Sequence, residues 1–218
     1  FGRGAWNKRV MKKIRYFDFG LHKCEELKGM KEFLPTITDN FECYGFEAAP
    51  TNYNDYCKIH ETNNTKIYNV AVSDKHNSTI NLYYCPNEVG HSIHSTKRNV
   101  LKDKYWEVNS IKFSEWLKDN NINLKDSFNI VKVNIEGAEW ELFNDIIDSN
   151  LRNDINIFCG SSGRDVKKIK KFVDDGIVKK FTEILKKNNI EILRWNSGPI
   201  EMSTVNLYKI ITNSIFIN

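Results

Sequence analysis

The sequence predicts an α/β chain built on a largely parallel sheet. Short apolar runs closed by turn residues recur at intervals, and helical patterns fill the gaps between them. The chain has 218 residues, 40% hydrophobic and 12% aromatic, enough to bury one sizeable core. No repeat, low-complexity tract or linker interrupts the alternation, so residues 1–218 read as one domain with its core over 14–212.

The elements follow in order. Ile14 to Phe19 is a buried strand stopped by Gly20, and 22–33 is a helix with Leu27, Met30 and Phe33 at helical spacing. Residues 42–47 form a second strand, and Thr51 can cap the helix after Pro50. Residues 66–72 form a third, and Thr79 to Cys85 alternates as a two-faced strand. The stretch 86–104 lacks periodicity and reads as a long surface loop, a length that in a compact domain points to function or disorder. A short helix starts at Ser114, and Phe128 to Ile135 is the central strand. Ala138 to Ile147 is a helix with Trp140, Phe143 and Ile147 on one face. Residues 155–159 form a strand, and 165–188 are one amphipathic helix or two broken at Asp175-Gly176. Residues 190–195 and 205–212 are the closing strands, with Gly198-Pro199 in the turn between them.

Charge and cysteines narrow the class. A net charge of +4 is far from the dense positive field of a dedicated nucleic-acid binder. No apolar run reaches the ~20 residues needed to cross a bilayer. The five cysteines include no C-x-x-C pair, which fits a reduced, cytoplasmic chain without a zinc site. Nor does a compact Asp/His/Glu cluster suggest any other metal. The chain opens on Phe1, and a targeting segment ahead of it stays open.

In open α/β sheets, ligands bind beyond the carboxyl ends of the strands. Gly20 directly after the first strand admits a ligand to the backbone, and Asp18 can accept hydrogen bonds from a cationic group. Glu47 at the end of the second strand is placed to take both hydroxyls of a ribose. The G-x-G-x-x-G phosphate fingerprint is absent. An acid for a ribose without a pyrophosphate cradle fits a nucleoside cofactor such as S-adenosylmethionine. The same residues also fit a tight turn and a solvated edge acid.

The chain resembles the FkbM family of S-adenosylmethionine-dependent methyltransferases over about residues 14–148. Asp18-Phe19-Gly20 looks like that family's D-x-G opening, and Phe46-Glu47-Ala48-Ala49-Pro50 is similar to its F-E-P-x-P element. Asn69 to Asp74 resembles its N-x-A-V-S-D element. Lys132 to Glu139 (K-V-N-I-E-G-A-E) is similar to its K-I-D-x-E-G-A-E. Three departures stand out: Cys24 where the family has Gly, Asn134 where it has Asp, and Ala48 where its F-E-P has Pro, the proline being delayed to Pro50. The resemblance implies a class I methyltransferase, Rossmann-like, with a mostly parallel seven-stranded sheet, helices on both faces, and 205–212 as an antiparallel last strand. It implies that Asp18 and Gly20, with Leu21 and His22, line the methionine end of the cofactor. Glu47 would take the ribose, Ala48 would flank the adenine, and Ala71 and Val72 would pack on it. Lys132, Asn134 and Glu136 would lie near methyl transfer.

An alcohol acceptor needs a base. Glu136, Glu139, His91 and His94 are the candidates, with Asn134 unable to act as one. Glu136 also fits helix capping, and the histidines also fit a solvated loop. Lys97-Arg98 and Lys102 to Lys104 form a basic patch that would attract an anionic acceptor, or is simply solvated. The expected activity is O-methylation of a hydroxyl on a sugar or glycan. The alternatives are a nucleic-acid methyltransferase, disfavoured by the modest charge, and a catalytically silent methyltransferase fold acting as a binding module. A nicotinamide-dependent oxidoreductase is opposed by the missing glycine fingerprint.

Overall fold

A computed structural model describes residues 12–161, 163–194 and 208–214. Strand β1 (Lys13–Phe19) leads to helix α1 (Glu25–Phe33) and strand β2 (Phe41–Phe46). Helix α2 begins at Pro50–Asn52 and runs on as a π turn, Tyr53–Cys57, and a 3₁₀ turn, Lys58–His60. Four strands follow: β3 (Thr65–Tyr68), β4 (Ala71–Val72), β5 (Ser78–Tyr83) and β6 (Tyr105–Ile111). Then come α3 (Phe113–Asp119), β7 (Ser127–Val133), α4 (Glu139–Asp148) and β8 (Ile157–Gly160). Helices α5 (Lys170–Asp174) and α6 (Ile177–Lys187), strand β9 (Ile192–Arg194) and helix α7 (208–214) complete the order.

Among the described residues the main sheet has six strands in the order β3-β2-β1-β7-β8-β9, every neighbouring pair parallel. The order reverses between β1 and β7, which is where open parallel sheets leave a crevice for ligands. Side chains alternate across the sheet with period two. Phe17, Phe19, Val131 and Val133 point to the face covered by α3, α4 and α6, where Trp116, Phe143 and Phe181 are buried. Ile14, Tyr16, Cys43 and Ile130 point to the other face, covered by Leu27 and Met30 of α1. The sheet is therefore sealed on both faces, as its near-continuous apolar strands require. Among the described residues no helix is long and apolar enough to cross a membrane.

Several expectations need correction. Residues 66–72 are not one strand: β3 ends at Tyr68, and β4 leaves the main sheet to pair with β6. Asn69 causes the break. Its Nδ2 donates to the carbonyls of Glu47, at 2.8 Å, and Ala48, at 3.2 Å, pinning the chain to the loop after β2 instead of the ladder. The second sheet, β4-β6-β5, contains β6, an element that the apolar pattern of the sequence does not announce. The cap of α2 is Ala49 with Pro50 at the first helical position, not Thr51.

The antiparallel last strand expected over 205–212 is corrected where the chain is described: 208–212 are not a strand. Residues 208–212 lie within α7, and 205–207 lie outside the described residues, as does the turn at Gly198-Pro199. Tyr208 stacks on Phe33 at 3.7 Å and its hydroxyl donates to the Gly29 carbonyl at 2.8 Å. Ile211 is buried in the α1 cluster. A helix puts both on one side, three residues apart, against α1.

Candidate functional site

A cavity of about 520 Å³ opens at the carboxyl ends of β1, β2 and β7. Gly20, closing β1, sits at φ +87°, and a Cβ there would lie 2.0 Å from the Asn134 carbonyl oxygen. Only glycine lets the two strand ends meet, and their junction forms the floor. Phe46, Ala48, Val70, Ala71, Val72 and Leu82 give one end an apolar wall. Glu88, Val89, Gly90, His91 and Ile93 supply the roof. The 86–104 stretch is thus not a simple surface loop, since Ser92 and Lys97 within it are buried.

Glu47 is the best-fixed acid of the cavity. Its Oε2 accepts from the His22 N–H at 2.8 Å and its Oε1 from the Ala49 N–H at 2.9 Å. It is only 6% exposed. Burial raises its pKa above the ordinary carboxylate value, against the pull of those two N–H groups and of Asn52. These donors do not use all four lone-pair sites of the carboxylate, so it can accept from a further donor. Asn69 holds the backbone carbonyls of residues 47 and 48 and so fixes the loop that carries this carboxylate.

The β7–α4 turn carries Asn134 and Glu136, both on the cavity wall. Glu136 has φ +56° and Gly137 φ +115°, a strained backbone for a non-glycine residue. The turn is held by Glu139, whose carboxylate accepts from the Gly137 N–H at 2.6 Å and the Ile135 N–H at 3.3 Å. Glu139, the first residue of α4, thus ties the turn ahead of the helix and is fully buried, while no side chain caps the helix itself. Burial, and then the nearby Asp165, push the Glu139 carboxyl up to about 8. Glu136 instead pairs through Oε2 with Lys97, while its carbonyl accepts from Ser92 Oγ at 2.8 Å. Its side chain stays 20% exposed.

His91 lines the roof, with its Nδ1 accepting from the Cys85 N–H at 2.9 Å. That bond assigns the ring proton to Nε2. Burial, with Lys97 adding to it, lowers the pKa to about 4, so the ring is neutral at pH 7. Presented this way, His91 is a hydrogen-bond donor and not the base considered from the sequence. His94 is off the cavity wall, with its Nε2 3.3 Å from Glu141 and its ring edge-on to Phe172.

Of the residues singled out from the sequence, Gly20, His22, Glu47, Ala48, Ala71, Val72, His91, Asn134 and Glu136 all line this one cavity. Asp18 and Leu21 do not. Leu21 is buried against Gly45. Asp18 points to the α1 face of the sheet, where Lys132 Nζ lies 2.8 Å from its Oδ1 and the Tyr16 hydroxyl donates to its Oδ2 at 3.0 Å. Burial pushes its carboxyl up to about 6 against the attraction of Lys132. Lys132, also buried, keeps its charge: Asp18 and Glu26 outweigh the burial and hold its pKa above the ordinary value. The same ammonium donates to the Gly20 carbonyl at 2.7 Å. The pair thus props the floor from behind rather than facing a ligand.

Sequence reasoning missed Asn69 as the residue that pins the loop carrying Glu47, and missed Lys97. Lys97 was grouped with Arg98 in a surface patch, yet its side chain is fully buried. Charge on the wall is mainly negative, from Glu25, Glu26, Glu47, Glu88 and Glu136, with Arg164 opposing them.

A nucleoside with a positively charged appendage fits this donor and acceptor set. The buried carboxylate suits paired hydroxyls, the apolar end suits a flat ring, and the acidic wall suits a cation. In comparison with known proteins, the chain matches no family model and no curated protein.

Proposed function

We propose that the chain is an S-adenosylmethionine-dependent methyltransferase acting on a hydroxyl of a sugar or glycan. The observation that carries the reading is Glu47, a buried carboxylate braced by two backbone N–H groups at the carboxyl end of β2, beside the point where strand order reverses. The resemblance of four motifs to the FkbM family supports the same cofactor.

S-adenosylmethionine supplies a methyl group on a positively charged sulfur, for transfer to an oxygen lone pair. In this reading Glu47 takes the ribose hydroxyls, Ala48, Ala71 and Val72 pack on the adenine, and Gly20 and His22 border the methionine end. The acidic wall favours a cationic ligand by charge. Asn134 holds the acceptor by hydrogen bonds. Glu136 takes the acceptor's proton at Oε1, since Oε2 is tied to Lys97. His91 donates from Nε2 to an oxygen of the acceptor. The roof residues 88–93 exclude water from the charge that is being lost. Because Lys97 is spent inside the protein and the wall is acidic, the reading favours a neutral acceptor over a phosphorylated one.

The test is calorimetry with S-adenosylhomocysteine. Replacing Glu47 by Ala is expected to weaken binding by about 1.5–3 kcal/mol, the range for a hydrogen bond to a charged group. Unchanged affinity would remove Glu47 from the site, and no binding by the unaltered chain would end the reading.

A further inference from the structure

Lys97 has none of the features of a surface lysine. Its side chain is fully buried, and its ammonium makes two directed contacts: the Glu136 carboxylate and, at 2.7 Å, the Gly90 carbonyl. Glu136 belongs to the β7–α4 turn and Gly90 to the cavity roof, segments far apart in sequence. The chain around Lys97 is itself anchored. Lys97 pairs across a β-bridge with Ile169, the Arg98 N–H donates to the Lys168 carbonyl at 3.1 Å, and the Lys170 N–H donates to the Thr96 carbonyl at 3.1 Å. A second tie, from Ser92 Oγ to the Glu136 carbonyl, runs parallel to the ion pair. The junction has no spare room. A Cβ on Gly90, where φ is +99°, would come within 3.0 Å of Asn99 Nδ2, 3.1 Å of Glu136 Oε2 and 3.2 Å of Lys97 Nζ.

We propose that Lys97 is a positioning residue of the cavity, holding the Glu136 carboxylate and the Gly90 carbonyl together so that residues 88–93 are fixed as a roof over the ligand. A buried ammonium is costly unless paired, so it is a weak choice for stability alone. Here the pairing sets two things a ligand would meet: the orientation of a carboxylate that projects from a strained turn, and the height of the roof. With Oε2 held by Lys97, Oε1 is the oxygen left free of that lysine on a side chain that lines the cavity. Naming the ligand as an adenosyl compound rests on the proposed function; the positioning role does not.

The experiment is hydrogen exchange on the full chain, with and without S-adenosylhomocysteine, for the unaltered protein, Lys97→Met and Gly90→Ala. Lys97→Met is expected to speed exchange of the 88–94 amides by at least about tenfold, with the β1, β2 and β7 amides little changed, because local openings report local ties. It is also expected to weaken S-adenosylhomocysteine binding by about tenfold, through the lost pre-organisation. Gly90→Ala wedges the same junction from the roof without exposing a buried charge. It should give the same pattern, and it decides the matter if Lys97→Met does not fold. Exchange that stays within twofold at 88–94 in the folded variants, or that rises equally in the central strands, would overturn the proposal. If the roof loosens as expected while the unaltered chain binds no S-adenosylhomocysteine, the positioning role stands and the methyl-donor reading falls.

Discussion

Two buried lysine–carboxylate pairs flank the cavity, and they differ in what they face. Lys132–Asp18 lies under the floor, sealed between the sheet and α1, with both side chains at most 2% exposed. Lys97–Glu136 lies at the roof, with the lysine sealed but the acid's side chain 20% exposed and lining the cavity. The first pair can touch no ligand. Its output is mechanical: the ammonium also holds the Gly20 carbonyl. The second pair holds one carboxylate oxygen inside the protein, on a side chain that also lines the cavity. The same chemistry thus serves as a brace in one place and as the setting of a site in the other. Exposure of the acid, not the strength of the pair, separates the two.

The largest effect should come from breaking the brace. Lys132→Met leaves Asp18 buried without its partner and is expected to cost about 3–5 kcal/mol of stability, read by urea unfolding. A cost as small as that of a surface substitution would mean that Asp18 finds solvent, and the contrast with Glu136 would fail. Next is Glu136→Gln, which keeps an oxygen for Lys97 but removes basicity. Turnover should fall toward the lower end of ~10²–10⁴-fold, with donor affinity changed much less. Unchanged turnover per folded molecule would move the base elsewhere. That assay needs an acceptor, found first by screening neutral and phosphorylated sugars.

The smallest effect sharpens the comparison by pH. Glu139 has its carboxyl raised from 4.5 to about 8 by burial and by Asp165. A raised acid contributes stability that is full below its unfolded pKa and lost as pH rises through its folded one. Asp18, raised to about 6, acts in the same sense at lower pH. His91, lowered from 6.5 to about 4, acts in the opposite sense below 6.5. Between pH 6.5 and 7.5, therefore, Glu139 dominates among these three. Stability should drop by about 1 kcal/mol across that unit, and Glu139→Gln should flatten the slope. A slope unchanged in the variant would assign it to another group.

Much of this was legible in the chain. Ile14 to Gly20 and Phe128 to Ile135 read as buried strands because both sheet faces are covered and the apolar runs are nearly continuous. Glu47 and Glu136 stood out because they follow such runs directly. Less regular pieces were hidden. The strand Tyr105–Ile111 has one exposed side, and its partner Ser78–Tyr83 lies across a long irregular connection. Residues 208–212 are apolar enough to read as a strand, but their helix is selected by Phe33 and Gly29, far away in sequence. Lys97 looked solvated because nothing beside it reveals an acid 39 residues on.

The central claim is that Glu47 receives the two hydroxyls of a ribose. The most direct test is a double-mutant cycle by calorimetry, pairing Glu47→Ala with an S-adenosylhomocysteine analogue lacking the ribose hydroxyls. Each change alone should weaken binding by about 1.5–3 kcal/mol, and the two together should cost little more than one, because they remove the same contact. Losses that simply add would show that Glu47 and the ribose act independently, and would contradict the account.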